Sequence, residues 1–220
     1  MGIVFCWSGG KDSALALNQL LQNGKKVDAL LTTVTKDYDR VSIHGVRRSL
    51  LKMQAESIGI PLVEIFLSKD SSDEEYESKM YDELLKLKKR GSTSIAYGDI
   101  FLEWLKKKRE LLAESVGVKC VFPLWGRSTS ELANSFLENG FRAVFTCIDS
   151  KVLSKELAGK EFDIAALRSF PKGVDPCGEN GEFHTFVYDG PIFEHKLKLK
   201  KGETVLRENR FYYCDFMLEA

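Results

Sequence analysis

Net charge is the first thing this sequence does without: 32 lysine and arginine side chains are matched by 32 aspartates and glutamates. With no overall field of either sign, nothing draws the chain toward nucleic acid or an anionic membrane surface. A small substrate or a docked protein is the expected partner. No apolar run approaches the ~20 residues that span a bilayer, and no basic segment precedes the apolar start, so neither a membrane span nor a cleaved leader is expected. A soluble, unprocessed, cytoplasmic protein is the reading that follows. The five cysteines, Cys6, Cys120, Cys147, Cys177 and Cys214, are odd in number, widely spread and nowhere arranged as CxxC. That spacing argues against a disulfide framework or a metal cluster and for buried thiols in a reducing compartment, with Cys177 the one to watch. Internal repeats and low-complexity linkers are also missing.

What is present is length and periodicity. The 220 residues suffice to bury a proper core, and two domains are expected, residues 1–124 and 125–220. The first half alternates short apolar runs with amphipathic helices, the pattern of a parallel sheet covered on both faces. Strands are predicted at Ile3–Trp7, Val27–Thr33, Leu62–Leu67, Ser94–Tyr97 and Lys119–Phe122. A helix from about Asp12 buries Ala14, Leu17 and Leu21 and stops at Gly24, and another carries Val46, Leu50, Met53 and Ile58 at helical spacing. Capping boxes at Ser72/Glu75 and Ser128/Glu131 open two more helices. The charge run around the first of these boxes follows the helix dipole and needs no binding partner. Beyond Trp125 an apolar strand, Phe141–Ile148, the alternating segment Lys196–Lys200 and the aromatic segment Phe211–Leu218 suggest antiparallel strands in a smaller α+β domain.

Chemistry concentrates first in Ser8-Gly9-Gly10-Lys11-Asp12-Ser13, placed where a strand ends and a helix begins. Glycines let the backbone approach an anion, and the unpaired amides of the first helical turn point at it with the dipole behind them. Lys11 adds a full charge, Ser8 and Ser13 can donate to phosphate oxygens, and Asp12 could hold Mg²⁺ or cap the helix. A Gly-Gly turn followed by an ordinary N-cap would explain the glycines and Asp12 but not Ser8 and Lys11. The spacing is not GxxxxGK[ST], which disfavours ordinary γ-phosphate hydrolysis.

SGGKDS after a first strand resembles the PP-loop of the ATP pyrophosphatases, enzymes that release pyrophosphate and adenylate their substrate. That resemblance implies ATP as cofactor across the carboxyl edge of the sheet, with adenine near Thr32, Thr33 and Val34. Tyr97-Gly98-Asp99-Ile100 closes the fourth predicted strand, which in such a sheet lies beside the first, so Asp99 would face the nucleotide and share Mg²⁺ with Asp12. A plain turn is the competing reading of Gly98-Asp99. His44, just before a helix, is either a helix-start packing residue or a substrate contact.

The densest stretch is Asp175-Pro176-Cys177-Gly178-Glu179-Asn180-Gly181-Glu182-Phe183-His184. Glu179 and Glu182, an imidazole, a thiol and an amide beside glycines could orient a substrate, hold ammonium or move a proton. A hairpin turning at Asn180-Gly181 is the structural alternative, and both can hold. Together with Pro123-Leu124-Trp125, these motifs resemble the diphthine-ammonia ligase family over nearly the whole chain. The resemblance implies an ATP- and ammonium-dependent amide-forming ligase that adenylates a small or protein-borne acyl substrate and releases pyrophosphate. The catalytic set it implies is Lys11, Asp12, Asp99, Glu182 and His184. The implied substrate contacts are His44, Cys177, Gly178, Glu179, Asn180, Glu182 and His184. Free ammonium is expected as the nitrogen source, since no glutaminase is evident, and a homo-oligomer is left open. The family's diphthamide enzymes read EGGE, then Phe or Tyr, then Glu, whereas this chain reads ENGEFH, as in a bacterial branch associated with cobalamin salvage. A substrate other than diphthine, such as a corrinoid acid, is therefore the expectation. A tRNA thiolase lacks its CxxC pairs here, and a non-catalytic ATP or AMP sensor is the alternative from another class.

Overall fold

The computed structural model describes residues 2–41 and 45–219; His44 lies outside the described residues. In chain order the elements begin β1 (Gly2–Cys6), α1 (Lys11–Gln22), β2 (Val27–Thr35), β3 (Arg40–Val41), α2 (Arg48–Ile58), β4 (Leu62–Leu67), α3 (Asp73–Lys89), β5 (Ser92–Ala96), α4 (Glu103–Val116) and β6 (Lys119–Val121). They continue with α5 (Thr129–Glu138), β7 (Arg142–Asp149), a 3₁₀ turn at Lys155–Leu157, α6 (Ile164–Arg168), β8 (Phe183–Asp189), β9 (Leu199–Arg207) and β10 (Phe211–Leu218).

The first sheet runs β4-β2-β1-β5-β6 with every one of these pairs parallel, and β3 adds an antiparallel pairing to the end of β2 beyond the last β1 contact. Parallel strands need crossover helices, and those cover both faces, which is why β1 is a continuous apolar run. Its side chains alternate between two cores. Ile3, Phe5 and Trp7 join α1 and α2, while Val4 packs with Ile65, Met80, Leu84 and Val116 beneath α3 and α4. On α1 the buried face is Ala14, Leu15, Leu17 and Leu20, whereas Leu21 is 37% exposed. Leu21 was expected on that face; Leu20 is the residue buried there. Ser72 and Ser128 cap α3 and α5 by accepting from the Glu75 and Glu131 amides.

The second sheet is antiparallel in the order β8-β7-β10-β9. A group of phenylalanines holds it to α5 and α6, with Phe145 meeting the Phe183 ring edge-on at 5.1 Å and Phe136 stacked on Phe141 at 5.0 Å. The hairpin reading of Asn180-Gly181 does not hold. β8 pairs with β7, and the turn runs from the Gly178 carbonyl to the Gly181 amide, so its central residues are Glu179 and Asn180. The core that contains Ile3, Phe5 and Leu17 also contains Phe145, Phe186 and Phe216, so the two sheets share one apolar interior. Among the described residues no helix is long and apolar enough to cross a membrane.

Candidate active site

At the carboxyl end of β1 the chain turns through Ser8-Gly9-Gly10 into α1, whose first turn has no side-chain cap because its N-cap is Gly10. The Lys11 amide donates to Thr185 Oγ1, which leaves the amides of Asp12 and Ser13 in that turn for an anion. The loop is held in shape from within and from outside. Ser8 Oγ and Ser13 Oγ lie 2.7 Å apart, and the Gly10 amide donates to Ser8 Oγ at 3.2 Å. Gly9 has φ +78, a left-handed conformation, and a Cβ there would stand 2.7 Å from Gln54 Oε1. The Gly9 carbonyl accepts from Gln54 Nε2 at 3.0 Å and from the Val187 amide at 2.9 Å. Fully buried Gln54 also accepts from Trp7 Nε1 at 2.9 Å and donates to the Val187 carbonyl at 2.5 Å. Reading the sequence missed Gln54. The available signal was a polar residue on the apolar stripe of α2, one turn after Leu50.

Lys11, expected to lend its charge to phosphate, is also engaged by the protein itself. It is buried, its ammonium donates to Asp12 Oδ2 at 2.7 Å and to the Cys177 carbonyl, and it stands 5.0 Å from the Phe183 ring centroid. Its backbone amide donates to Thr185 Oγ1 at 3.1 Å. Burial works to lower the pKa of Lys11, but Asp12, Cys177 and Glu179 more than offset it, so the ammonium is held charged. Lys11 thus lines the cavity and joins the two sheets at once.

A cavity of about 750 Å³ opens over this loop, lined by Ser8, Gly10, Lys11, Asp12 and Ser13 on one side and Thr32 and Thr33 on another. Val34, expected beside adenine, is fully buried and lies outside the lining. Gly98 packs against the start of α1, where a Cβ would come 3.0 Å from the Ser13 amide nitrogen. That close approach brings Asp99 to the cavity wall. Its carboxylate lies 3.6 Å from Arg109 Nε, and burial raises its pKa, with Arg109 opposing. Arg109 also donates to Tyr76 Oη at 2.8 Å and stacks on the Tyr97 ring.

From the opposite side comes the loop before β8. Gly178, Glu179 and His184 line the cavity, and Cys177 reaches its edge. Glu179 Oε1 accepts from the Ile100 amide at 2.8 Å, fastening this loop to the turn after β5. Burial, opposed by that hydrogen bond and reinforced by Asp12 and Asp99, pushes the Glu179 pKa up to about 7. Glu182 and Asn180, expected to touch substrate, are turned away from the cavity. Glu182 accepts from the Asp175 amide, the Asn180 amide and Asn180 Nδ2 at 3.0–3.1 Å, so it builds the loop instead of facing a ligand. Asp175 does similar work by accepting from the Glu179 amide at 2.8 Å. The Cys177 thiol donates to the Thr129 carbonyl, and burial pushes its pKa well up, which suits a packed thiol and not a nucleophile.

A strand-to-helix phosphate loop at the carboxyl edge of a parallel sheet, without Walker A spacing, defines a nucleotide-binding α/β protein of the PP-loop class. Comparison with known proteins narrows this. The family model described as "Diphthamide synthase N-terminal domain" matches residues 1–120 and that described as "Diphthamide synthase C-terminal domain" matches 128–216. The chain belongs to the diphthamide synthase family, and it is an ATP-dependent ligase. A Danio rerio protein named diphthine–ammonia ligase is 28% identical, over 95% of this chain and 90% of its own length. A Homo sapiens protein of the same name is 26% identical over 90% of this chain and 83% of its own length. The Schizosaccharomyces pombe protein of that name is 27% identical, but this chain spans only 36% of it.

Proposed function

We propose that this chain activates a carboxyl group with ATP, releasing pyrophosphate, and passes the adenylated carbonyl to ammonia, with diphthine carried on a protein as the acyl substrate. The observation behind this reading is that the phosphate loop and the loop before β8 line one cavity and are bonded to each other through Lys11 and Cys177. Residues 1–124 supply the nucleotide side and 125–220 the substrate side. In this reading the amides of the first turn of α1, with Ser8, Ser13 and Lys11, take the phosphates. Thr32 and Thr33 border the adenosine, while Gly178, Glu179 and His184 border the acyl group. Catalysis is then mostly positional, with preorganised amides and the Lys11 ammonium facing the charge that develops on the departing pyrophosphate.

Asp12 and Asp99 both border the cavity and are the carboxylates that would hold Mg²⁺ beside the phosphates; each already faces a cation, Asp12 the Lys11 ammonium at 2.7 Å and Asp99 the Arg109 guanidinium at 3.6 Å. Among the described residues no three His, Cys, Asp or Glu side chains form a metal cage; Mg²⁺ bound with nucleotide needs only one or two carboxylates, the phosphates supplying the rest. The ion would offset charge on the phosphates.

The ENGEFH departure pointed away from diphthine, but half of it, Asn180, lies outside the cavity, and only His184 borders the space where a substrate would sit. The relatives' shared name favours diphthine, and nothing in the comparisons supports a corrinoid substrate or a non-catalytic sensor. Purified protein given ATP, ammonium and diphthine-bearing elongation factor two should release AMP and pyrophosphate, with the factor's mass changing by conversion of a carboxylate to an amide. Release of ADP, or AMP release with corrinoid acids and none with the elongation factor, would overturn this reading.

A further inference from the structure

Resting on the ligase reading above, we infer that Glu179 is the proton acceptor that converts bound ammonium into the attacking ammonia. Ammonium, the dominant species near neutral pH, has no lone pair to attack with, so some group at the site must take a proton from it. Of the carboxylates lining the cavity, Asp12 faces Lys11, Asp73 and Glu77 face Lys108 and Asp99 faces Arg109, whereas Glu179 is held by a backbone amide. Glu182 is consumed by three N–H donors of its own loop, and the Cys177 thiol is packed against the Thr129 carbonyl. Glu179 lies at the centre of a turn that presents it to the cavity, and the Ile100 amide at 2.8 Å fixes one of its oxygens. The charged groups bearing on it are Asp12 and Lys11 from α1 and Asp99 from the turn after β5, with Asp175 holding its backbone amide. The carboxylates of Asp12 and Asp99 make a further negative charge on Glu179 unfavourable, with Lys11 opposing. A pKa raised to about 7 is what a proton acceptor working near neutrality needs.

The step balances as follows. Ammonium gives one proton to the Glu179 carboxylate, and the freed nitrogen pair forms a C–N bond at the acyl carbon. The bond from that carbon to the AMP oxygen breaks, and its electron pair leaves with AMP. The surplus proton on the new amide nitrogen passes to the AMP phosphate or to water, and Glu179 returns its own proton to water.

Glu179→Gln separates this role from a structural one, because the amide oxygen can still accept from the Ile100 amide while the side chain no longer takes a proton. Substrate-dependent ATP–pyrophosphate exchange should stay within about 3-fold of wild type, while amide formation from ammonium falls roughly 100-fold. Hydroxylamine, largely neutral at pH 7, needs no base, so the variant should use it at nearly the wild-type rate. Equal losses with both nucleophiles, loss of exchange in the variant alone, or undiminished use of ammonium would overturn the inference. No exchange in the wild-type protein would instead sink the ligase reading.

Discussion

At the scale of single residues the site is organised around side chains that do two jobs. The Lys11 ammonium, buried between Asp12 and the Cys177 carbonyl, contributes charge to the nucleotide side and a tie to the substrate side. Lys11→Met should therefore abolish AMP formation and also lower stability by about 1–3 kcal/mol, since it strands a buried carbonyl and a carboxylate. Urea unfolding checks the second part; an unchanged midpoint with activity lost would confine Lys11 to phosphate. Glu179 carries a pH signature. Its pKa is raised from 4.5 to about 7, so between those values the folded state binds a proton that the unfolded chain releases. The resulting stabilisation is full below pH 4.5 and fades as pH rises through 7. Stability measured by denaturant from pH 5 to 7 should decline less steeply in Glu179→Gln than in wild type. Of the residues singled out by reading the sequence, those whose chemistry is local, Ser8, Ser13 and Glu179, line the cavity. Glu182 does not, since a carboxylate in a glycine-rich turn can as well satisfy amides as face a ligand, and spacing alone does not distinguish the two.

Elements matter through where they meet. The turn after β5 approaches the start of α1 so closely that Gly98 has no room for a Cβ, which would lie 3.0 Å from the Ser13 nitrogen and 3.1 Å from the Asp12 carbonyl carbon. Gly98→Ala should push this turn off the helix, weaken ATP binding roughly 10-fold and cost about 1–3 kcal/mol of stability. Calorimetric titration with ATP would reveal it; unchanged affinity would mean the turn yields without disturbing the phosphate loop. β8 is the other decisive element. It donates from the Val187 amide to the Gly9 carbonyl and accepts the Lys11 amide on Thr185, so a strand of the second sheet helps shape the phosphate loop. Nothing in the periodicity of Phe183–Asp189 announces that contact, because a strand's pattern tells which face is buried but not what it is buried against.

For the molecule as a whole, the consequence is cooperation between the two sheets. One face of the first sheet shares with the second sheet a core running from Ile3 to Phe216, and the polar links through Gln54, Lys11 and Glu179 cross the same boundary. Heat or denaturant should unfold the chain in one transition, with tryptophan fluorescence and far-ultraviolet circular dichroism giving coincident midpoints. Two separated transitions would show that the sheets are energetically independent.

The sequence by itself determined the order of strands and helices of the first half apart from β3, the strand-to-helix position of SGGKDS, the capping serines and the antiparallel character of the last strands. All of these depend on side-chain periodicity or on residues within a few positions of one another. Only the tertiary structure decided that Gln54 and Thr185 brace the phosphate loop, that Lys11 is engaged by Cys177, and that Glu179 rather than Glu182 faces the cavity. Each of the first three depends on residues between 45 and 174 positions apart in the chain, and the last on which way a turn docks against a distant one. Burial and hydrogen bonding at such separations are set by packing, which local pattern does not encode.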